Sequence, residues 1–206
     1  MEQSDHDLLV RYRKGDVEAL SLLVERYRRT LFSYIYGMMG GQAEAEEVFQ
    51  EVWFRVIRRV GDYKDRNFGG WLVRIAHNLV IDRVRRRKPE ISLDVDRDED
   101  GFGGIELTAQ EQDAVQTIAA RELGEKIAVA VSELPPNQRA VFLMRTRMDL
   151  SFREIARAQK TSINTALGRM HYALGKLRKV LQNEYREVAE GGSSGTEKPH
   201  FFAGGA

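Results

Sequence analysis

The residues best equipped for chemistry in this sequence are cations set beside aromatic rings. Arg83-Val84-Arg85-Arg86-Arg87-Lys88 puts five positive charges into six residues, shortly after a stretch containing Tyr63, Lys64, Asn67, Phe68 and Trp71. Cations follow a phosphate backbone while rings stack on unpaired bases, so this pairing suits a single-stranded nucleic acid. Trp71 also reads as partly core, whereas Arg85, Arg86 and Lys88 are hard to explain as packing. A second set emerges when residues 163–181 are placed at 100° per residue. Ile163, Leu167, Met170, Leu174, Leu177 and Leu181 form an apolar stripe. Opposite it lie Thr165, Gly168, Arg169, Tyr172, Lys176 and Lys179, with Asn164 and His171 on a flank. Small or hydrogen-bonding side chains near the helix start suit base edges, and the later cations suit phosphates. A solvated basic face is the plainer alternative. Catalysis finds little support: His6, His77, His171 and His200 show no metal-ligand spacing, no Gly-rich phosphate loop appears, and no Ser/His/acid set can be picked out. No metal, cofactor or small-molecule substrate is expected.

The elements that must carry these groups read as helices throughout. Helical periodicity dominates from residue 5 to 88; its first stretch, Leu8 to Met38, has apolar positions at mostly three-and-four spacing, broken at Gly15-Asp16 and ended at Gly40-Gly41. A second helix follows with Ala45, Val48, Phe49, Val52, Val56 and Val60 on one side. Its acids (Glu44, Glu46, Glu47, Glu51) come early and its arginines (Arg55, Arg58, Arg59) late, as the helix dipole favours. Gly61-Asp62 stops it, a loop runs through Gly70, and a third helix is expected from Trp71 to about Arg87, ended by Pro89. Helical pattern resumes near Gln110. After the break at Leu134-Pro135-Pro136-Asn137, Ser151-Phe152-Arg153-Glu154 reads as a capping box for a helix to about Gln159. Thr161 or Ser162 then caps the next helix. Helix, short turn and helix is the outline of a DNA-reading bihelical motif, which many non-binding bundles share.

The charge distribution agrees. The formal net charge of +1 conceals net charges of +4 over 1–89, −8 over 90–120, +6 over 121–187 and −1 over 188–206. The acidic middle segment lacks period and apolar content and reads as a solvated linker; the Gly/Ser-rich end reads as a flexible tail. The fold class is therefore all-α: two small helical domains, 1–89 and 121–187, joined by a flexible acidic linker at 90–120 and followed by a tail at 188–206. The absence of cysteine excludes a disulfide framework and thiolate zinc sites. With no secretory signal and no bilayer-spanning run, a cytoplasmic protein is expected.

Three segments carry a family resemblance. Residues 44–56, Glu-Ala-Glu-Glu-Val-Phe-Gln-Glu-Val-Trp-Phe-Arg-Val, resemble the polymerase-binding helix of bacterial extracytoplasmic-function (ECF) sigma factors of the sigma-70 family. Phe68-Gly69-Gly70-Trp71-Leu72-Val73-Arg74-Ile75-Ala76 with Asn78, Asp82, Arg85 and Arg86 is similar to the family's next segment. Leu134-Pro135 with Arg139, then Leu150-Ser151-Phe152-Arg153-Glu154-Ile155-Ala156, resemble its C-terminal signature. The resemblance implies a non-catalytic alternative sigma factor whose region 2 bundle and region 4 helix-turn-helix recognise and melt promoter DNA for core RNA polymerase. By the same resemblance, Glu44, Glu46, Glu47, Gln50 and Glu51 would meet the polymerase clamp, with the flap as a further contact. Tyr63, Lys64, Asn67, Phe68, Trp71, Arg74, Asn78, Arg85 and Arg86 would hold the single-stranded minus-ten element. Ser162, Asn164, Thr165, Gly168, Arg169, His171, Tyr172 and Lys176 would read the minus-thirty-five element. An anti-sigma factor is an implied partner. Leu167-Gly168-Arg169 departs from the Lys-Ser-Arg common in relatives, so their promoter sequences do not transfer. A stand-alone helix-turn-helix regulator is the competing reading, and it leaves the 44–56 match and the Arg85–Lys88 cluster without a role.

Overall fold

The computed structural model describes residues 3–61, 63–64, 67–87 and 124–191, and every regular element among them is helical. The expected acidic linker and the resumption of helix near Gln110 lie outside the described residues, as does the expected tail from residue 192 onward; 188–191, expected in that tail, instead continue the last helix. The elements are α1 (Asp5–Arg13), α2 (Val17–Met39), α3 (Gln42–Arg59), α4 (Phe68–Arg87), α5 (124–132), α6 (Pro136–Met148), α7 (Phe152–Gln159) and α8 (Ile163–Gly191). No helix among the described residues is long and apolar enough to cross a membrane.

Local chemistry sets most boundaries. Ser4 and Asp7 form a capping box on α1, and Asp16 caps α2 by accepting from the Glu18 amide at 3.1 Å. Gly40, at φ +79°, closes α2 in the left-handed conformation that glycine adopts without strain. The Ser151–Glu154 capping box opens α7 as its sequence predicts. Ser162 rather than Thr161 caps α8, accepting from the Thr165 amide at 2.9 Å. One boundary differs: α4 begins at Phe68, three residues before the expected Trp71. Asn67 explains it, because its Oδ1 accepts from the Gly70 amide at 2.7 Å and so caps a helix whose first turn contains two glycines.

α1 to α4 enclose an apolar core that includes Leu23, Leu31, Ile35, Met38, Val48, Val52, Leu72 and Val80. α5 to α8 contribute Leu134, Ala140, Val141, Met144, Ile155 and Ala166. The two groups pack against one another, α6 on α2 and α7 on α4, so buried residues of both halves form a continuous cluster. Gly37 allows the close approach of α6: a Cβ there would stand 2.9 Å from Leu143 Cδ1. Arg139 of α6 donates to the Met38 carbonyl at 3.3 Å, closing the seam with charge at the C-terminal end of α2.

Candidate nucleic-acid interface

The minus-ten candidates lie along one strip. On α4, Trp71, Arg74, Asn78 and Arg85 recur at helical spacing, with Arg86 on the flank; Lys64 and Asn67 precede them in the approach to the helix. Arg74, Asn78, Arg85, Arg86, Lys64 and Asn67 are exposed, Trp71 is half-buried, and Tyr63 and Phe68 are buried. The aromatic members form a packed wall. Tyr63 lies 4.9 Å from Trp71 and 5.9 Å from Phe68 between ring centroids, and Trp53 and Tyr27 approach Phe68 from behind at 6.4 and 5.6 Å. In this arrangement only Trp71 of the three candidate rings is partly open to a base, so stacking on Tyr63 or Phe68 requires the loop to move. Two polar candidates are engaged by α7: Asn67 Nδ2 donates to Glu154 Oε1 at 3.2 Å, and Arg74 donates to the Arg157 carbonyl at 3.4 Å. The Ser151 hydroxyl and amide, and then Asn67, hold the Glu154 carboxyl below its usual range. Arg86 turns toward a groove between α3 and α4 that it shares with Glu51, Arg55, Leu79, Asp82 and Arg83.

The recognition-helix candidates cluster at the start of α8. Ser162, Asn164, His171, Tyr172 and Lys176 are exposed, while Thr165 and Gly168 are partly covered. The Thr165 and Ser162 hydroxyls lie 2.8 Å apart, and the His171 and Tyr172 rings stand 6.0 Å apart. The apolar stripe is rotated from the expected one. Ala166, Ala173 and Leu177 are buried, whereas Ile163 is 41% exposed. Small alanines let α8 approach its neighbours through a line that the larger residues only flank. As a result Arg169 is not on the open face; it is half-buried and its Nη1 donates to Gln159 Oε1 at 2.9 Å. The positive charges of Arg169 and Arg85, one from each candidate set, both lower the pKa of the buried His77.

On α3 the candidate polymerase-facing acids are largely paired within the chain. Glu44 pairs with Arg87, Glu47 with Arg83 at 2.9 Å, Glu51 with Arg55 at 2.8 Å, and Glu46 accepts from Gln42 at 2.7 Å. Each pair keeps at least one side chain in contact with solvent, and surface pairs of this kind stabilise by about 0–1 kcal/mol and exchange for other partners. Gln50 is exposed. Sequence reasoning missed Phe54 and Ile57, which are 48% and 44% exposed on the same outward side, with the Arg58 guanidinium 4.2 Å above the Phe54 ring. Their spacing from Gln50 was the available signal, hidden by reading the helix for its charges.

Residues 23–90 match the family model for sigma-70 region 2, and residues 124–177 match that for sigma-70 region 4. The chain is 30% identical to the ECF RNA polymerase sigma factor SigW of Bacillus subtilis over 191 residues, covering 89% of this chain and all of that one. It is 26% identical to the RNA polymerase sigma-H factor of Pseudomonas aeruginosa, covering 91% and 98% of the two chains. Among solved structures it is similar to CnrH in complex with the cytosolic domain of CnrY (TM-score 0.65, 21% identity, 88% of this chain and 99% of that one). It is also similar to RpoE in complex with the anti-sigma factor NepR from Bartonella quintana (TM-score 0.58, 17% identity, 79% and 96%).

Proposed function

This chain belongs to the ECF sigma factors of the sigma-70 family, and we propose that α4 and α8 are its two promoter-reading helices. It is an alternative sigma factor that directs promoter-specific transcription initiation. In this reading residues 1–89 bind the polymerase clamp and hold the melted minus-ten element, and 121–187 read the minus-thirty-five element. The acidic segment 90–120 is the linker between them, and no task is assigned to 188–206. The observation that carries it is the placement of exposed polar and cationic residues on one strip of α4 and near the start of α8, within the two matched regions.

Each group then has a task. Lys64, Arg74, Arg85 and Arg86 track the single strand while Asn67, Asn78 and Trp71 meet its bases; Tyr63 and Phe68 support Trp71 from behind. Ser162, Asn164, Thr165, Gly168, His171 and Tyr172 face base edges, with Lys176 and a released Arg169 on phosphates. Glu44, Glu46, Glu47, Gln50 and Glu51 exchange internal pairs for cations on the clamp, and Phe54 and Ile57 add apolar contact. Catalysis belongs to the polymerase and none is assigned to this chain, which acts in the cytoplasm where polymerase and promoter meet. By analogy with the complex of RpoE with the anti-sigma factor NepR, an anti-sigma partner is part of the proposal.

Each base contact contributes roughly 1–3 kcal/mol, too little for a lone recognition helix to outcompete a genome of nonspecific sites. Isolated protein should therefore bind duplex DNA weakly, and holoenzyme should bind promoters tightly. The test is run-off transcription with core polymerase on genomic fragments. Promoter-dependent initiation is expected, and its absence from every fragment would overturn the proposal.

A further inference from the structure

We propose that Arg13, the last residue of α1, is a positioning residue for capture of the minus-ten element. It lies before the stretch that matches the region 2 family model, which begins at residue 23. α1 is fixed to α2 along its length: Leu8 and Leu9 are buried in the core, Asp5 pairs with Arg26 at 2.5 Å and accepts from the Tyr27 hydroxyl, and Arg11 pairs with Asp16 at 2.7 Å. From that base the Arg13 guanidinium crosses to the far end of α3. Nε and Nη2 donate to the Val60 carbonyl at 3.2 and 2.8 Å, and Nη2 also donates to the Tyr63 carbonyl.

These two acceptors make the contact more than a surface tie. Val60 is the C-cap of α3, where unsatisfied carbonyls carry the negative end of the helix dipole and favour a cation. Tyr63 belongs to the approach to α4. Its carbonyl is held by Arg13 while its ring is held by Trp71 and Phe68. One planar fork therefore sets the backbone direction from which exposed Lys64 follows, and a short step later Asn67 caps α4 and stands ready to meet the strand. A lysine cannot reproduce this, because a single ammonium lacks the rigid fork. Capture of an unstacked base depends on such preorganisation, and misplacement of the capturing groups by about 1 Å can cost on the order of a hundredfold.

The inference rests on the reading of Lys64, Asn67 and Trp71 as minus-ten contacts. The test uses the full chain, wild type, Arg13→Ala and Arg13→Lys, reconstituted with core polymerase. Three quantities are measured: holoenzyme affinity, open-complex formation with a fluorescent base in the minus-ten element, and discrimination across promoter libraries randomised in either element. Holoenzyme affinity within about twofold of wild type is expected, with open-complex formation lowered about tenfold or more in Arg13→Ala and less in Arg13→Lys. Minus-ten discrimination should flatten while minus-thirty-five discrimination is retained. Wild-type minus-ten discrimination in Arg13→Ala, or an equal loss at both elements, overturns the inference; if Arg13→Ala does not fold, Arg13→Lys decides by the same comparison. Failure of the wild-type holoenzyme to discriminate at either element would instead overturn the underlying reading.

Discussion

His77 sits 6% exposed beneath the helices, its Nδ1 3.0 Å from the Tyr34 hydroxyl. Burial first, and then the positive charges of Arg169 and Arg85, push its pKa down to about 4. Unfolded, the same imidazole titrates near 6.5. A lowered folded value means the unfolded chain binds the proton first, so the stability His77 contributes is complete above about pH 6.5. It is lost progressively as pH falls toward 4. That linkage amounts to about 1 kcal/mol between pH 7.5 and 5.5, growing to about 3 kcal/mol near pH 4. Asp7, Asp16 and Glu154 are held below their ordinary carboxylate values by hydrogen bonds, and their contributions are lost below about pH 5, so of these groups His77 alone governs the span from pH 7.5 to 5.5. Denaturant titrations at pH 7.5 and 5.5 should show the loss in wild type and a flatter profile in His77→Gln. Equal pH dependence in both proteins would rule out His77 as the source.

At the scale of elements, helix existence was legible and helix contact was not. Period and capping residues placed α2, α3, α7 and α8, because those signals lie within the segment that folds. The start of α4 was misplaced because Gly69-Gly70 reads as loop until Asn67 is seen to cap it. Arg169 was assigned to an open face because the helical wheel weighs side-chain size, while actual packing runs along Ala166 and Ala173. Nor did any local pattern announce that α6 would lie on α2, since that contact depends on position 37 carrying no more than a small side chain against Leu143. Alanine there costs little, since Leu143's terminal methyls can shift and alanine favours the helix by about 1 kcal/mol. Gly37→Leu places a branched side chain where Leu143 already sits, and overpacking of this kind costs about 1–3 kcal/mol. Thermal unfolding should show Gly37→Leu destabilised and Gly37→Ala near wild type. A wild-type midpoint for Gly37→Leu would mean that α2 and α6 are not in contact in solution.

For the whole molecule, the contact between α4 and α7 bears directly on how two promoter elements are reached. Asn67 and Arg74 meet α7 within hydrogen-bond distance, so the candidate minus-ten surface and the helix-turn-helix are adjacent on one body. Elements centred some twenty-five base pairs apart are separated by about 85 Å at roughly 3.4 Å per step. Helices in contact lie only about 10 Å apart, so the closed arrangement cannot serve both elements. Residues 88–123, if fully extended, could bridge on the order of 100 Å, enough for α6 to α8 to leave α2 and α4 while remaining tethered. Separation would release Asn67 and Arg74 for DNA. It would also break the apolar seam at Gly37 and Leu143, so polymerase contacts must offset the lost burial. Since the chain has no cysteine, dyes can be attached at Ser21→Cys and Arg153→Cys, on exposed faces of α2 and α7. Energy transfer between them should be high in the free protein and fall when the promoter complex forms, corresponding to a separation increased by several tens of ångströms. Unchanged transfer in a transcriptionally active complex would show that both elements are read from the closed body, against the spacing argument.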